Sequence, residues 1–257
     1  MSLLAGKKAC VLGVANRWSI ATAIARALHT HGASLMLTYE GERTREEVEK
    51  LAQELGNAPT IAADVAKDES IAALRDFVAA RFGKLDVLVH SLAFARKEEL
   101  AGKYFATSRA GFCLALDISA YSLVALCREL QPLFAERASV MAMTYLGSVR
   151  AVRNYNVMGV AKAALESSVR YLAHDLGEHG GVRVNAISAG PIKTASARAV
   201  GDFTKILSEV AAKAPLRRNA TADDVAGVAV FLASDLSAAM TGQVLYVDAG
   251  YNILGIV

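Results

Sequence analysis

The chain has 257 residues, a net charge of +3, and 54% apolar against 21% charged residues. That is the composition of a packed globule and excludes a disordered or fibrous chain. So small a charge, spread without a basic block, gives little hold on a polyanion, so nucleic acid is not an expected partner. The longest apolar runs, such as 228–233, are too short to cross a bilayer, and residues 1–8 lack the apolar stretch of a signal peptide. No membrane insertion is expected, and the chain reads as cytoplasmic. Cys10, Cys113 and Cys127 show neither close pairing nor metal-ligand spacing, and the five histidines form no cluster. Buried thiols, no disulfide and no metal are therefore expected.

Seven short runs rich in β-branched and aliphatic residues follow one another at 8–14, 33–39, 60–65, 85–92, 139–145, 182–188 and 243–248, and read as buried strands. Helical periods lie between them. Ile20, Ile24, Ala27 and Leu28 share one face, and Val48, Leu51, Ala52 and Leu55 share the next. Strand alternating with helix predicts a parallel sheet with right-handed crossovers, an α/β, doubly wound, Rossmann-type fold of seven strands. No Gly/Ser linker and no internal repeat marks a second unit, so residues 1–257 are expected to form one domain. After the sixth strand the connection is longer than the fold requires. Val200, Phe203, Leu207 and Val210 there share a helical face. The segment around 192–214 is either a lid or a helix packed permanently on the core. Its position beyond the carboxyl end of a strand, where open α/β sheets bind ligands, favours the lid.

The first strand runs into Gly13-Val14-Ala15-Asn16-Arg17-Trp18-Ser19-Ile20 and then a helix, the context a dinucleotide site needs. Gly13 suits the tight turn, Ala15 permits close approach, and Ser19 can cap the helix whose N-terminus faces a pyrophosphate, with Ile20 following. The same residues also serve a plain turn and cap. Glu40, just beyond the second strand, is placed to accept hydrogen bonds from the adenosine ribose. Asp64 and Val65 end the third strand, where they address either the adenine ring or only the start of the next helix. Ser91, Leu92 and Ala93 close the fourth strand at the same edge.

After the fifth strand come Tyr145, Tyr155 and Lys162. Taken singly, Tyr155 reads as a packing tyrosine and Lys162 as a solvated helix residue. Together the Tyr-x6-Lys pair resembles the signature of the enoyl-acyl-carrier-protein reductases, a divergent branch of the short-chain dehydrogenase/reductase superfamily. Most of that superfamily has a tyrosine four before the lysine, where this chain has Met158. Tyr145, Ser19-Ile20-Ala21, Asn154-Tyr155-Asn156-Val157-Met158-Gly159 and Ser188-Ala189-Gly190-Pro191-Ile192 fit the same family, so the resemblance runs nearly end to end. Helical residues seven apart share a face to within about 20° and lie roughly 10 Å apart along the axis, which moves the phenol about one turn further from the lysine than in ketone reductases. The substrate explains the shift. Hydride reaches C3 of an enoyl thioester while charge appears on the C1 oxygen, two bonds away.

The resemblance implies NADH as cofactor, with NADPH as second candidate, and an enoyl thioester on acyl-carrier protein as substrate in bacterial fatty-acid elongation. It implies that Tyr155 holds the enolate oxygen, Lys162 the nicotinamide ribose, and Tyr145 a place beside the thioester. Ile192 would hold the carboxamide through its backbone and Thr194 approach a phosphate. Ala93 to Ala95, Met158, Val200 and Phe203 would line the acyl site. Relatives commonly form homotetramers through the long helices and the last strand, in keeping with the apolar ending at 251–257. Two departures stand out. Gly201 and Thr204 are neutral where carrier docking expects basic residues, leaving Lys193, Arg198 and Lys205, and Ala93 replaces a frequent glycine. A carbonyl reductase and a non-catalytic nucleotide-sensing module are the competing readings. Met158 argues against the first, and the Tyr155, Lys162 and lid combination against the second.

Overall fold

The computed structural model describes residues 2–194 and 202–255. Seven strands, β1 (Lys8–Leu12), β2 (Ser34–Tyr39), β3 (Thr60–Ala62), β4 (Leu85–His90), β5 (Phe134–Thr144), β6 (Arg183–Ala189) and β7 (Val244–Val247), form one sheet in the order β3-β2-β1-β4-β5-β6-β7. Every pairing is parallel. The expected sheet is thus present. β1, β3 and β4 end two or three residues earlier than their apolar runs, and β5 begins five residues earlier, at Phe134 beside Leu85.

The helices are α1 (Ile20–Thr30), α2 (Glu42–Glu54), α3 (Asp68–Phe82), the single turn α4 (Lys97–Leu100), α5 (Arg109–Leu116), α6 (Ser122–Leu130), α7 (Asn156–Glu178), α8 (Phe203–Lys213) and α9 (Ala222–Ala233). The period of two along the strands sorts the core. Ala9 and Val11 of β1 point to one face, where α1, α2 and α9 pack, while Cys10 and Leu12 point to the other, against α3, α6 and α7. Both faces are covered, which is why these strands read as continuous apolar runs.

Two expectations from composition change here. The helical stretch Arg109–Leu133 has the length and apolarity of a membrane span, so the chain does contain one such stretch. Half of its most apolar window is buried inside the fold, and Leu123, Leu126 and Leu130 belong to the core, which is how a core helix of a sheet protein passes the same test. Cys10 and Cys127 are buried, and burial pushes their thiols up to about 12, but Cys113 is exposed because it sits on the outer side of α5. At the C-terminus Ile253 is 75% exposed in the single chain.

Candidate active site

All the loops singled out in the sequence leave the same carboxyl-terminal edge of the sheet. The strand order reverses between β1 and β4, and the crevice at such a switch point is where open α/β sheets bind ligands. Gly13 there has φ +97°, and a Cβ on it would lie 2.0 Å from the Ser91 carbonyl oxygen. The turn after β1 is thereby pressed against the exit of β4, with Ser91 N donating to Leu12 O at 3.2 Å. Ser19 caps α1 by accepting from Thr22 N, and the first turn of the helix carries no acidic residue, so its positive end is left uncompensated. Ile20 opens α1 and packs on the core. These features fit a dinucleotide diphosphate.

Glu40 is exposed one residue past β2. Of the two arginines near it, Arg45 is drawn to Glu49 (2.7 Å) and Glu42 (3.2 Å), while Arg43 makes no ion pair among the described residues. Asp64 bonds locally, to Lys67 Nζ (2.9 Å) and Ala66 N (3.1 Å), and the Lys67 hydrogen bond lowers its pKa. Val65 is buried in the core. Ala93 is exposed beyond β4. Ile192 lies half-buried on the core after β6, and Thr194 is the last described residue before 195–201. Val200, Arg198 and Gly201 lie outside the described residues. A cavity of about 490 Å³ opens between Trp18 and Ser19 of the α1 turn, Ile192 and Lys193, Leu207 of α8 and Thr221 at the cap of α9.

The chemical residues gather where β5 ends and α7 begins. Lys162, 4% exposed, donates to Met143 O at 2.8 Å and Leu92 O at 3.1 Å. Two of three ammonium hydrogens are thus fixed by the ends of β4 and β5. Burial lowers its pKa to about 8, against a nearby Glu166 charge that raises it. Tyr155 sits at the cap of α7 and not within it, a small departure from the helical placement expected; its carbonyl accepts from Met158 N at 2.9 Å. Its ring meets Tyr145 edge-on, centroids 4.9 Å apart at 67°. Burial raises both phenols, Tyr145 to about 12 and Tyr155 further, with the charge of Glu166 adding to the rise at Tyr155. Both are therefore neutral donors at physiological pH. Gly147 makes the stacking feasible, since a Cβ there would lie 2.4 Å from Tyr155 Cδ1. Ala95, Met158 and Tyr155 share one apolar cluster with Leu100, Phe112 and Leu116, a lining suited to an acyl chain. Phe203, half-buried, opens α8.

Several residues around this centre were not singled out in the sequence. The helix of α5 and α6 carries a π turn at Asp117–Tyr121, a feature common at functional sites. Ser119 in that turn braces the loop after β4, accepting from Phe94 N (3.0 Å) and donating to Phe94 O (3.1 Å). His90, at the end of β4, is fully buried and held by Ser122 Oγ at 2.7 Å; burial and then Lys162 push its pKa down to about 3, so it is neutral. Glu166 is buried one helical turn beyond Lys162. A carboxylate four residues after a lysine inside an otherwise apolar helix face is the one such signal legible in the sequence.

A parallel doubly wound sheet with a glycine turn, a capped phosphate-facing helix and a buried lysine beside two tyrosines defines a nucleotide-dependent oxidoreductase of Rossmann type. The family model described as "Enoyl-(Acyl carrier protein) reductase" matches residues 13–252. The chain is 50% identical over 257 residues to the NADH-dependent enoyl-[acyl-carrier-protein] reductase FabI of Bacillus cereus, covering 99% of this chain and 100% of that one. The crystal structure of the Bacillus cereus enoyl-acyl carrier protein reductase with NADP+ and an indole naphthyridinone superposes with a TM-score of 0.97 at 50% identity, covering 100% of both chains. That of the NADH enzyme from Aquifex aeolicus gives 0.96 at 45%, covering 99% of this chain and 100% of that one. The chain belongs to the enoyl-acyl-carrier-protein reductase family.

Proposed function

We propose that this chain reduces the C2=C3 double bond of 2-enoyl thioesters borne by acyl-carrier protein, in fatty-acid elongation. The observation that carries the reading is the pair of edge-on tyrosines over the apolar cluster of Ala95 and Met158, with Lys162 anchored beneath them. Met158 occupies the place where a ketone reductase needs its tyrosine, and its burial in the cluster leaves no hydroxyl there.

Gly13, Ser19, Ile20, Glu40, Val65, Ser91, Leu92, Ala93, Ile192 and Thr194 would hold a nicotinamide dinucleotide, with Asp64 contributing through its carboxylate and the neighbouring backbone. When bound in reduced form, it supplies a hydride to C3 of the substrate. Tyr155, kept protonated by burial, donates its O–H to the C1 oxygen as charge develops there, and a proton reaching C2 completes the reduction. Lys162 has one N–H left for the ribose hydroxyls and lowers the cost of negative charge nearby. Tyr145 holds the Tyr155 ring and faces the thioester. Phe203 covers the acyl chain from the lid expected around 192–214, and the whole chain works as one domain.

NADH is the cofactor we propose, with NADPH as second candidate. Glu40 would accept from a ribose 2′-hydroxyl and repel a 2′-phosphate by roughly 1 to 2 kcal/mol at an exposed site, about tenfold or more in preference. Arg43, which makes no ion pair among the described residues, opposes this, and the Bacillus cereus relative was crystallised with NADP+. Catalytic efficiency with each cofactor checks the assignment, and Glu40→Ala is expected to narrow the gap by improving use of NADPH.

The same reading includes a homotetramer in the cytoplasm, supported by Tyr171 on α7 and Ile253, 73% and 75% exposed in the single chain. Lys193 and Lys205 are the basic residues beside the lid available to the acidic carrier; Lys205 lies 3.9 Å from Glu209. One assay decides the function. NADH oxidation that requires a 2-enoyl thioester is expected; activity with ketones alone, or none with either, would overturn it.

A further inference from the structure

Three consecutive residues at the end of β5 touch three groups in turn. Met143 O accepts from Lys162, Thr144 Oγ1 donates to Glu166 Oε1 at 2.6 Å, and the Tyr145 ring meets Tyr155. Glu166 is 5% exposed, and among the described residues it accepts from a neutral hydroxyl. A glutamine would satisfy Thr144 equally well. A full carboxylate buried this deeply costs more than an amide unless an opposite charge offsets it. Among the described residues, the cation that faces it is Lys162, four residues earlier on the same helix face, too far for a direct ion pair but close enough to feel its field.

We propose that Glu166 is a positioning residue that acts through Lys162: its buried charge holds the Lys162 ammonium protonated in a site that strips it of water. This rests on Lys162 serving the bound cofactor as an ammonium. The ionisable groups facing Lys162 are Glu166 and His90 at the end of β4, and His90 is neutral. Those facing Glu166 are Lys162, Tyr155 and Tyr246 of β7, all unable to supply a second positive charge. Lys162 titrates at about 8, so it loses its proton as pH rises through that value. Without the Glu166 charge, desolvation acts unopposed and the proton leaves at lower pH.

The titration of Lys162 is measured in full-length protein, without substrate or cofactor, by the 13Cε shift of labelled lysine, assigned by its absence in Lys162→Met. In Glu166→Gln the titration is expected to fall by about one unit or more, with the melting temperature little changed. A fall from 8 to 7 takes the protonated fraction at pH 8 from one half to one eleventh, so NADH affinity at that pH drops about fivefold. Glu166→Asp keeps the charge and should stay within about half a unit of wild type. Unchanged titration in Glu166→Gln, or an equal fall in Glu166→Asp, would mean that packing and not charge is at work and would overturn the inference. Because the titration needs no turnover, an inactive wild type with the stated shifts would sink the function and leave Glu166 in its role.

Discussion

The two helices to which we assign the proposed reaction are built on opposite terms. On α7, ten residues are buried, among them the charged pair Lys162 and Glu166, and the helix is pinned to β4 and β5 through Leu92 and Met143. On α8, Val210 is the buried residue, while Phe203, Ile206 and Leu207 are only half-covered. A charge must be held to within fractions of an ångström to stabilise a developing oxyanion, and that demands a rigid, desolvated setting. An acyl chain of variable length needs a cover that can open, and a helix with little buried area opens cheaply. A dry centre on α7 and a sparsely buried α8 are therefore the complementary halves that the proposed site needs.

The sharpest test of the rigid half is Tyr155→Phe. Removing the donor at the developing charge is expected to lower turnover with an enoyl thioester by about a hundredfold or more, while NADH affinity by calorimetry stays within about twofold. A fully active variant, with Tyr145→Phe inactive, would exchange the two tyrosines. Gly147→Ala comes next, because its methyl would overlap the Tyr155 ring. The ring must move, and turnover should fall about tenfold or more, with about 1 to 3 kcal/mol of stability lost in denaturant unfolding. Unchanged turnover would show that the ring position is unimportant.

Lys162→Met should weaken NADH binding about tenfold and lower the rate with it, and the melting temperature should fall, since the buried Glu166 carboxylate loses the charge that offsets it and the carbonyls of Leu92 and Met143 lose their donor. Equal cofactor affinity in wild type and variant would separate Lys162 from the ribose. The smallest effect belongs to the loose half. Phe203→Ala is expected to raise KM several-fold for long enoyl chains and little for crotonyl thioesters, with almost no loss of stability. If Phe203 were instead core, the variant would lose roughly 3 to 5 kcal/mol and show no chain-length dependence.

Much of this molecule was legible as a pattern. Alternation of apolar runs and helical periods is a local signal, imposed because each strand of a parallel sheet is buried on two faces and each helix on one, so the seven strands could be read without coordinates, though not their order in the sheet. Gly13 and the spacing of Tyr155, Met158 and Lys162 were equally visible, since turn geometry and helical period act over a few residues.

What tertiary structure alone decided concerns groups far apart in the chain. Lys162 looks like a solvated helix residue until β4 and β5 bring Leu92 O and Met143 O, 70 and 19 residues away, onto its ammonium. Glu166 gains its meaning from Thr144, Gly147 from the two rings it spaces, and the span-like stretch Arg109–Leu133 from the sheet that buries half of it. Burial, and with it the shifts at His90, Tyr145, Tyr155 and Lys162, is a property of the whole packed assembly. Periodicity says which face turns inward, but not what waits there to share a proton or a charge.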